Sequence, residues 1–311
     1  MNGYIKLMDY YLPSDRLHFN DHVDFFNTNK KSFDTAQKFI DYSKNVLGLE
    51  SIAVETEKTL EEMVMWILDQ NIAKGSIIPN EIDYIIVAPD LDSQLVDFGS
   101  FVQNKYKMNR ATLLRASGDF CVNIDAALGS ACQILEKEED KNKKVLILAG
   151  SKLEVSLTER IVGGYGVMGD AAGIILITGN DQDAIFKISQ QNILSEPENG
   201  LTALEEGSAF LHLKAYIKSM KALENLSDEY IESIILHNAN HLLMKEALSY
   251  VGLDTSKIDT TNQKKHGHLG TADLILNLKT NLANNHKHER ILTLNLGISG
   301  TYAATIFQKI H

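Results

Sequence analysis

Apolar positions along the chain follow two rhythms. In "TLEEMVMWILDQNIA" they recur at helical spacing behind acidic residues in the first turn, which predicts a helix. "EIDYIIVAPD" and "VLILAGS" are continuous apolar runs of strand length bounded by polar residues, as in strands buried on both faces. "ATLLRA" reads as a further strand, "SQLVDFGSFVQNKY" as a helix, and "SGDFCVNIDAALGSA" as a polar turn that becomes a helix running to about Glu136. Before these come a strand from Tyr4 to Met8, a polar loop and two helical stretches. "GDAAGIILITG" and "AIFKISQQ" are expected to close this first half as a hairpin.

After "LSEPENGLTALEEG" the pattern begins again. "IESIILHNANHLLMKEALSYV" parallels "IDYIIVAPDLDSQLVDFGSFV" as a strand, a short polar loop and a helix. "ERILTLNLGIS" parallels "KKVLILAGS", and "GTYAATIF" parallels "GDAAGIIL". Three parallels in the same order point to a duplicated α/β unit, with halves at residues 1–180 and 181–311. Alternating strands and helices imply a largely parallel sheet with covered faces. Ligands of such sheets bind beyond the carboxyl ends of the strands, where a duplication brings equivalent loops together.

Composition narrows the classes. The 311 residues are 44% hydrophobic and 23% charged, enough apolar material for a large core. A formal charge of −11 and the lack of a basic stripe argue against nucleic acid as a partner. Two cysteines cannot build a disulfide framework, so a reducing cytoplasm is expected. "MNGYIKLMDYYLP" lacks the basic start and apolar run of a signal peptide, and no apolar run approaches the roughly 18 residues of a membrane span.

The candidate chemistry lies in the duplicated loops. Cys121 stands at the turn into a helix, where unpaired N–H groups and the partial positive charge favour a thiolate and can hold an oxyanion. His237 follows the strand "SIIL" at its carboxyl end, and His266 and His268 lie in "KKHGHLGTAD", the loop equivalent to that of Cys121. The duplication therefore brings Cys121, His237 and His268 toward one crevice. A neutral imidazole there can take a thiol proton or donate to a thioester carbonyl. Gly118, Gly267, Gly270 and Gly297 permit close backbone approach. Cys132 reads as a small core residue, and "HGH" lacks the clustered carboxylates or thiols of a metal site. "GYGVMG" matches a dinucleotide-binding pattern but precedes a strand rather than a helix, so that reading loses its mechanism. "GISG" at Gly297 likewise falls short of a serine nucleophile elbow.

From about Asp83 to Phe307 the chain resembles the β-ketoacyl-acyl-carrier-protein synthase III group of the thiolase superfamily. "SGDFCVNIDAAL" resembles the segment around its nucleophilic cysteine, "MGDAAGIILI" its glycine-rich strand entry, and "LHNAN" its histidine motif. "GHLGTADLILNL" resembles the segment carrying the family's asparagine, and "LNLGISGTYAA" its C-terminal glycine-rich turn. The resemblance implies a thiolase-like fold, a five-layer αβαβα sandwich of two similar halves, usually dimeric. It implies Cys121 as acyl-accepting nucleophile, with His237 and His268 completing the catalytic set. The backbone N–H groups of Cys121 and Ile298 would form an oxyanion hole.

The implied activity is acyl transfer without a bound cofactor, from acyl carrier protein or coenzyme A thioesters, by a homodimer or a heterodimer. An acyl group loads Cys121 and is condensed with a malonyl or β-ketoacyl-type thioester. Three departures matter. His268 replaces the family's asparagine, the arginines and tryptophan that grip coenzyme A are missing near "VLGLESIAVE", and His241 and Leu242 stand where a carrier-docking arginine is usual, with Lys245 the nearest cation. They point away from housekeeping fatty-acid initiation and toward a specialised lipid or polyketide pathway. Two alternatives accompany this reading: ester or amide formation without decarboxylation, and a non-catalytic heterodimer partner.

Overall fold

The structure, a computed structural model, describes residues 3–19, 36–90, 95, 97–117, 119–154, 160–162, 166–199, 209–284, 288–297 and 299–310. The first half runs β1 (Gly3–Tyr11), α1 (Leu60–Ala73), β2 (Tyr84–Pro89), α2 (Phe98–Lys105), β3 (Thr112–Arg115), α3 (Asn123–Lys137), β4 (Lys144–Ser151) and β5 (Ala171–Thr178). The second half repeats that order as β6 (Phe186–Ser195), α4 (Ala209–Lys221), β7 (Ser233–Leu236), α5 (His241–Tyr250), β8 (Ile258–Asp259), α6 (Asp273–Asn284), β9 (Arg290–Gly297) and β10 (Thr301–Lys309).

Ten strands lie side by side in the order β8-β7-β9-β10-β6-β1-β5-β4-β2-β3. Each half thus contributes five strands in equivalent positions, one five-stranded sheet per half, and among the described residues the two sheets join only where β1 pairs with β6 over three residues. Two expectations need correction. The segment 184–191 does not close a hairpin with 169–179. β5 is already flanked by β1 and β4, so β6 takes the far side of β1 and opens the second half. Nor is the sheet largely parallel. β2 is parallel to β3 and β4, and β7 to β8 and β9, but β5 and β10 run back against β4 and β9. A parallel neighbour needs a crossover helix, and the described residues between β4 and β5 form no α-helix.

The apolar runs are continuous because both faces of the sheets are covered. Ile85 and Val87 of β2 pack under α1 and α2, while Ile86 and Ala88 face the middle of the molecule. In the second half Leu292 and Leu294 of β9 pack under α4 and α5, while Ile291 faces inward. Between the sheets lie α3 and α6, through Ile124, Leu128, Leu274 and Ile275. The result is the five-layer αβαβα sandwich of the thiolase fold. Each fully buried aliphatic or aromatic side chain in these layers contributes roughly 1.5–3 kcal/mol. α1 starts where the sequence pattern places it. Thr59 accepts from the Glu62 N–H (3.2 Å) and its own N–H donates to Glu62 Oε2 (2.8 Å), a reciprocal cap. No helix of the described residues is long and apolar enough to cross a membrane.

Candidate active site

The turn into α3 is held in an unusual conformation. Phe120 adopts φ 47°, a left-handed value that costs a β-carbon residue about 1–2 kcal/mol, and Phe120–Val122 form one tight helical turn before α3. The Asp119 N–H donates to Asn123 Oδ1 (3.1 Å), and Asn123 Nδ2 donates to the Pro89 carbonyl (2.8 Å). The turn is thereby tied to the carboxyl end of β2, with Cys121 at its tip, 5% exposed.

The second half supplies the groups facing the sulfur. His268 is fixed by its backbone to the first half: its N–H donates to the Val167 carbonyl (2.9 Å) and its carbonyl accepts from Gly169 (2.8 Å). Its Nε2 lies 2.7 Å from Cys121 Sγ, and its Nδ1 donates to Asp273 Oδ2. Asp273, the first residue of α6, also accepts the Asn238 N–H (2.9 Å), Asn238 Nδ2 (2.8 Å) and the Leu269 N–H (2.9 Å). One buried carboxylate therefore ties "HNAN" to "HGHLG" and orients the imidazole on the sulfur. With its proton kept on Nδ1 and donated in a hydrogen bond to Asp273, the neutral ring presents a lone pair at Nε2 to the thiol.

His237 joins from the end of β7. Its ring centroid is 5.3 Å from that of His268. Its Nδ1 accepts the Leu296 N–H (3.1 Å), which leaves the proton on Nε2. Burial, with His268 and His241 nearby, holds His237 well below the usual imidazole pKa, so it stays a neutral donor. Burial opposes charge on His268 as well, but the carboxylates of Asp273 and Asp90 outweigh it and raise its pKa above 6.5. The thiol behaves otherwise than the helix terminus suggested. Burial, then the charges of Asp90, Asp273 and Asp119, push Cys121 well up, so the sulfur rests protonated and needs a base.

Cys121, His237 and His268 thus stand together. Ile298 and Gly118 lie outside the described residues. His266 ends the short helix Gln263–His266, and among the described residues no hydrogen bond joins it to Cys121 or His237. Cys132 is buried in the central layer against Gly3. Among the described residues no group of three or more His, Cys, Asp or Glu side chains is disposed to hold a metal. Sequence reasoning missed Asp90, Asp119 and Asp273. The signal for Asp273 was an acidic residue opening a helix five positions after His268; Asp90 at the end of β2 and Asp119 two residues before the cysteine gave none beyond proximity.

A protonated cysteine, a histidine and a carboxylate stand in one hydrogen-bonded row at the junction of two equivalent α/β halves, and the similarity to known proteins makes this an acyltransferase-like enzyme of the thiolase fold. Residues 222–309 match the family described as the C-terminal part of 3-oxoacyl-[acyl-carrier-protein] synthase III. The β-ketoacyl-[acyl-carrier-protein] synthase III of Neisseria meningitidis is 24% identical over 316 residues, covering 94% of each chain. Among solved structures, the ChlB3 acyltransferase superposes with a TM-score of 0.80 at 15% identity over 100% of this chain and 98% of its own. The 3-oxoacyl-[acyl-carrier-protein] synthase III of Aquifex aeolicus gives 0.75 at 17% identity over 98% and 99%, and an OleA variant of Xanthomonas campestris 0.78 at 14% over 99% of both. The chain is thus similar to the synthase III group, through the family match in its C-terminal part and, at low identity, over nearly its whole length.

Proposed function

We propose that the protein transfers an acyl group through a thioester on Cys121 to an O–H or N–H nucleophile. The observation that carries this reading is the row from Cys121 Sγ through His268 to Asp273. His268 takes the thiol proton at Nε2, Asp273 stabilises the imidazolium, and the sulfur attacks the donor thioester. The Nε2–H of His237 donates to the carbonyl oxygen, together with the backbone N–H groups of Cys121 and Ile298 expected from the sequence. His268 returns its proton to the departing thiol. It is then free to deprotonate the acceptor that releases the acyl group.

The donor is an acyl thioester of coenzyme A or of an acyl carrier protein, and the reaction needs no bound cofactor. The working form is a homodimer, for which β3 (Thr112–Arg115) offers a sheet edge. The absent coenzyme A grip favours a specialised pathway over fatty-acid initiation.

Decarboxylative condensation with a malonyl-type thioester is the second reading, favoured by one observation. Neutral His237 presents an N–H donor of the kind an enolate oxygen requires. Incubation with an acyl thioester, followed by intact-mass measurement, tests the common step: wild type gains the acyl mass and Cys121→Ala does not. Carbon dioxide released by the loaded enzyme from a malonyl thioester, coupled to a carbon–carbon bond, would replace the first reading by the second. Absence of any adduct would leave neither standing.

A further inference from the structure

Two carboxylates beside the thiol have an open valence. Asp90 is 2% exposed; its Oδ2 accepts Ser151 Oγ at 3.1 Å, and its carboxyl also takes a hydrogen bond from the Cys121 thiol, which acylation of the sulfur removes, while Oδ1 is buried without a partner among the described residues. Asp119 is 8% exposed; its Oδ1 accepts the Ser299 N–H at 2.7 Å, while Oδ2 is buried without a partner among the described residues. Both charges reach the Cys121 thiol, and Asp273 has none to spare because four donors occupy it. Each carboxylate is pressed against a glycine of the second half, Asp90 on Gly270 and Asp119 on Gly297, where no β-carbon would fit. Neither can therefore swing aside in that direction.

Resting on the acyl-Cys121 reading above, we infer that the acceptor is a protonated amine, held through its N–H groups by Asp90 Oδ1 and Asp119 Oδ2. A buried carboxylate oxygen with no donor is costly, and it accepts only. An ammonium brings three N–H donors and a compensating positive charge. An alcohol brings one donor and no charge. A malonyl-type substrate would bring a further carboxylate to a thiol that three aspartates already surround, which like-charge repulsion opposes. The burial that lifts Asp90 above the usual carboxylate range is relieved by such a cation.

The step balances as an aminolysis. The ammonium loses one proton to His268 Nε2 and its nitrogen attacks the thioester carbon. A C–N bond forms, the C–S bond breaks, and the electron pair returns to Cys121 Sγ, which regains that proton from His268. The second proton lost by the nitrogen leaves through a carboxylate to water. The products are an amide and the free thiol.

The test loads Cys121 from an acyl-coenzyme A and measures the loaded fraction by intact mass. It then chases with n-hexylamine, n-hexanol or malonyl-coenzyme A at equal concentration, with aminolysis of the free thioester subtracted. Per loaded enzyme, hexylamine should discharge the acyl group roughly tenfold or more faster than hexanol, the preference expected from hydrogen bonds to charged groups, and yield the amide. Hexyltrimethylammonium, with no N–H to acylate, should fail to discharge the acyl group and should slow hexylamine only weakly. The amine-to-alcohol ratio should fall by a similar factor in Asp90→Asn and in Asp119→Asn. A failure to load removes the acyl-cysteine reading and this inference together. A loaded enzyme that prefers hexanol or malonyl-coenzyme A overturns the inference alone, as does an amine preference unchanged in both variants. The wild-type acceptor series decides the matter even if a variant does not fold.

Discussion

Asp273 shows how much one side chain can organise at the residue scale. It is 1% exposed, and its four donors come from two loops that approach the sulfur from different strands. His268 inherits both its orientation and its raised pKa from that carboxylate. Loading of Cys121 needs His268 neutral at Nε2, so the loading rate should rise with pH through a midpoint above the ordinary 6.5. Single-turnover loading followed by mass spectrometry between pH 5.5 and 9 checks this; a midpoint at or below 6.5 would contradict it. His268→Ala should slow loading by about 10²–10⁴-fold, the usual worth of general base catalysis, while His237→Ala should impair attack at the carbonyl without moving the midpoint downward by loss of a carboxylate partner. Cys121 and the two histidines were legible because their residue types and loop positions are distinctive. Asp90, Asp119 and Asp273 were not, since an aspartate at a strand end or helix start is ordinarily a cap.

At the scale of the element, α3 carries both the nucleophile and a strut to the other half. Asp125, one turn after Cys121 and fully buried, accepts Asn295 Nδ2 of β9 (2.6 Å) and Thr305 Oγ1 of β10 (3.3 Å). Gln191 of β6 adds a bond from Nε2 to the Asp125 carbonyl (3.0 Å). Burial raises the Asp125 pKa from 3.8 to about 7, against the pull of its two donors. At this group the folded chain holds more proton than the unfolded chain between those values, so the contribution of Asp125 to stability should fall as pH rises from 3.8 to about 7. Denaturant melts of wild type and Asp125→Asn at pH 5 and pH 8 check the sign: the variant should lose less stability than wild type on going to pH 8. At α1, Thr59→Ala removes the reciprocal cap and should cost about 1 kcal/mol, measured as a lower urea midpoint at constant slope. The helix itself was readable from spacing. The strut was not, because Asp125 interrupts an apolar face whose partner strands lie some 170 residues away.

In the whole molecule, α3 and α6 belong to both sheets at once, so neither half buries its inner face alone. Unfolding should be one transition. Phe307, fully buried on β10 and 6.2 Å from the Phe186 ring, sits in that shared layer. Phe307→Ala should cost about 3–5 kcal/mol. Fluorescence of Trp66, the single tryptophan and a first-half residue, should report the same lowered melting point as far-ultraviolet circular dichroism. A first-half signal that melts unchanged would separate the halves. The chain's own pattern determined which segments become strands and helices, that the order repeats, and which loops carry cysteine and histidine, because periodicity and turn chemistry are local properties. Tertiary structure alone decided that β6 pairs with β1 rather than with β5, that β5 and β10 run backward, and that three aspartates converge on the sulfur. Strand neighbours and buried charges are chosen by contacts between residues far apart in the chain, and no local pattern encodes the distance between them.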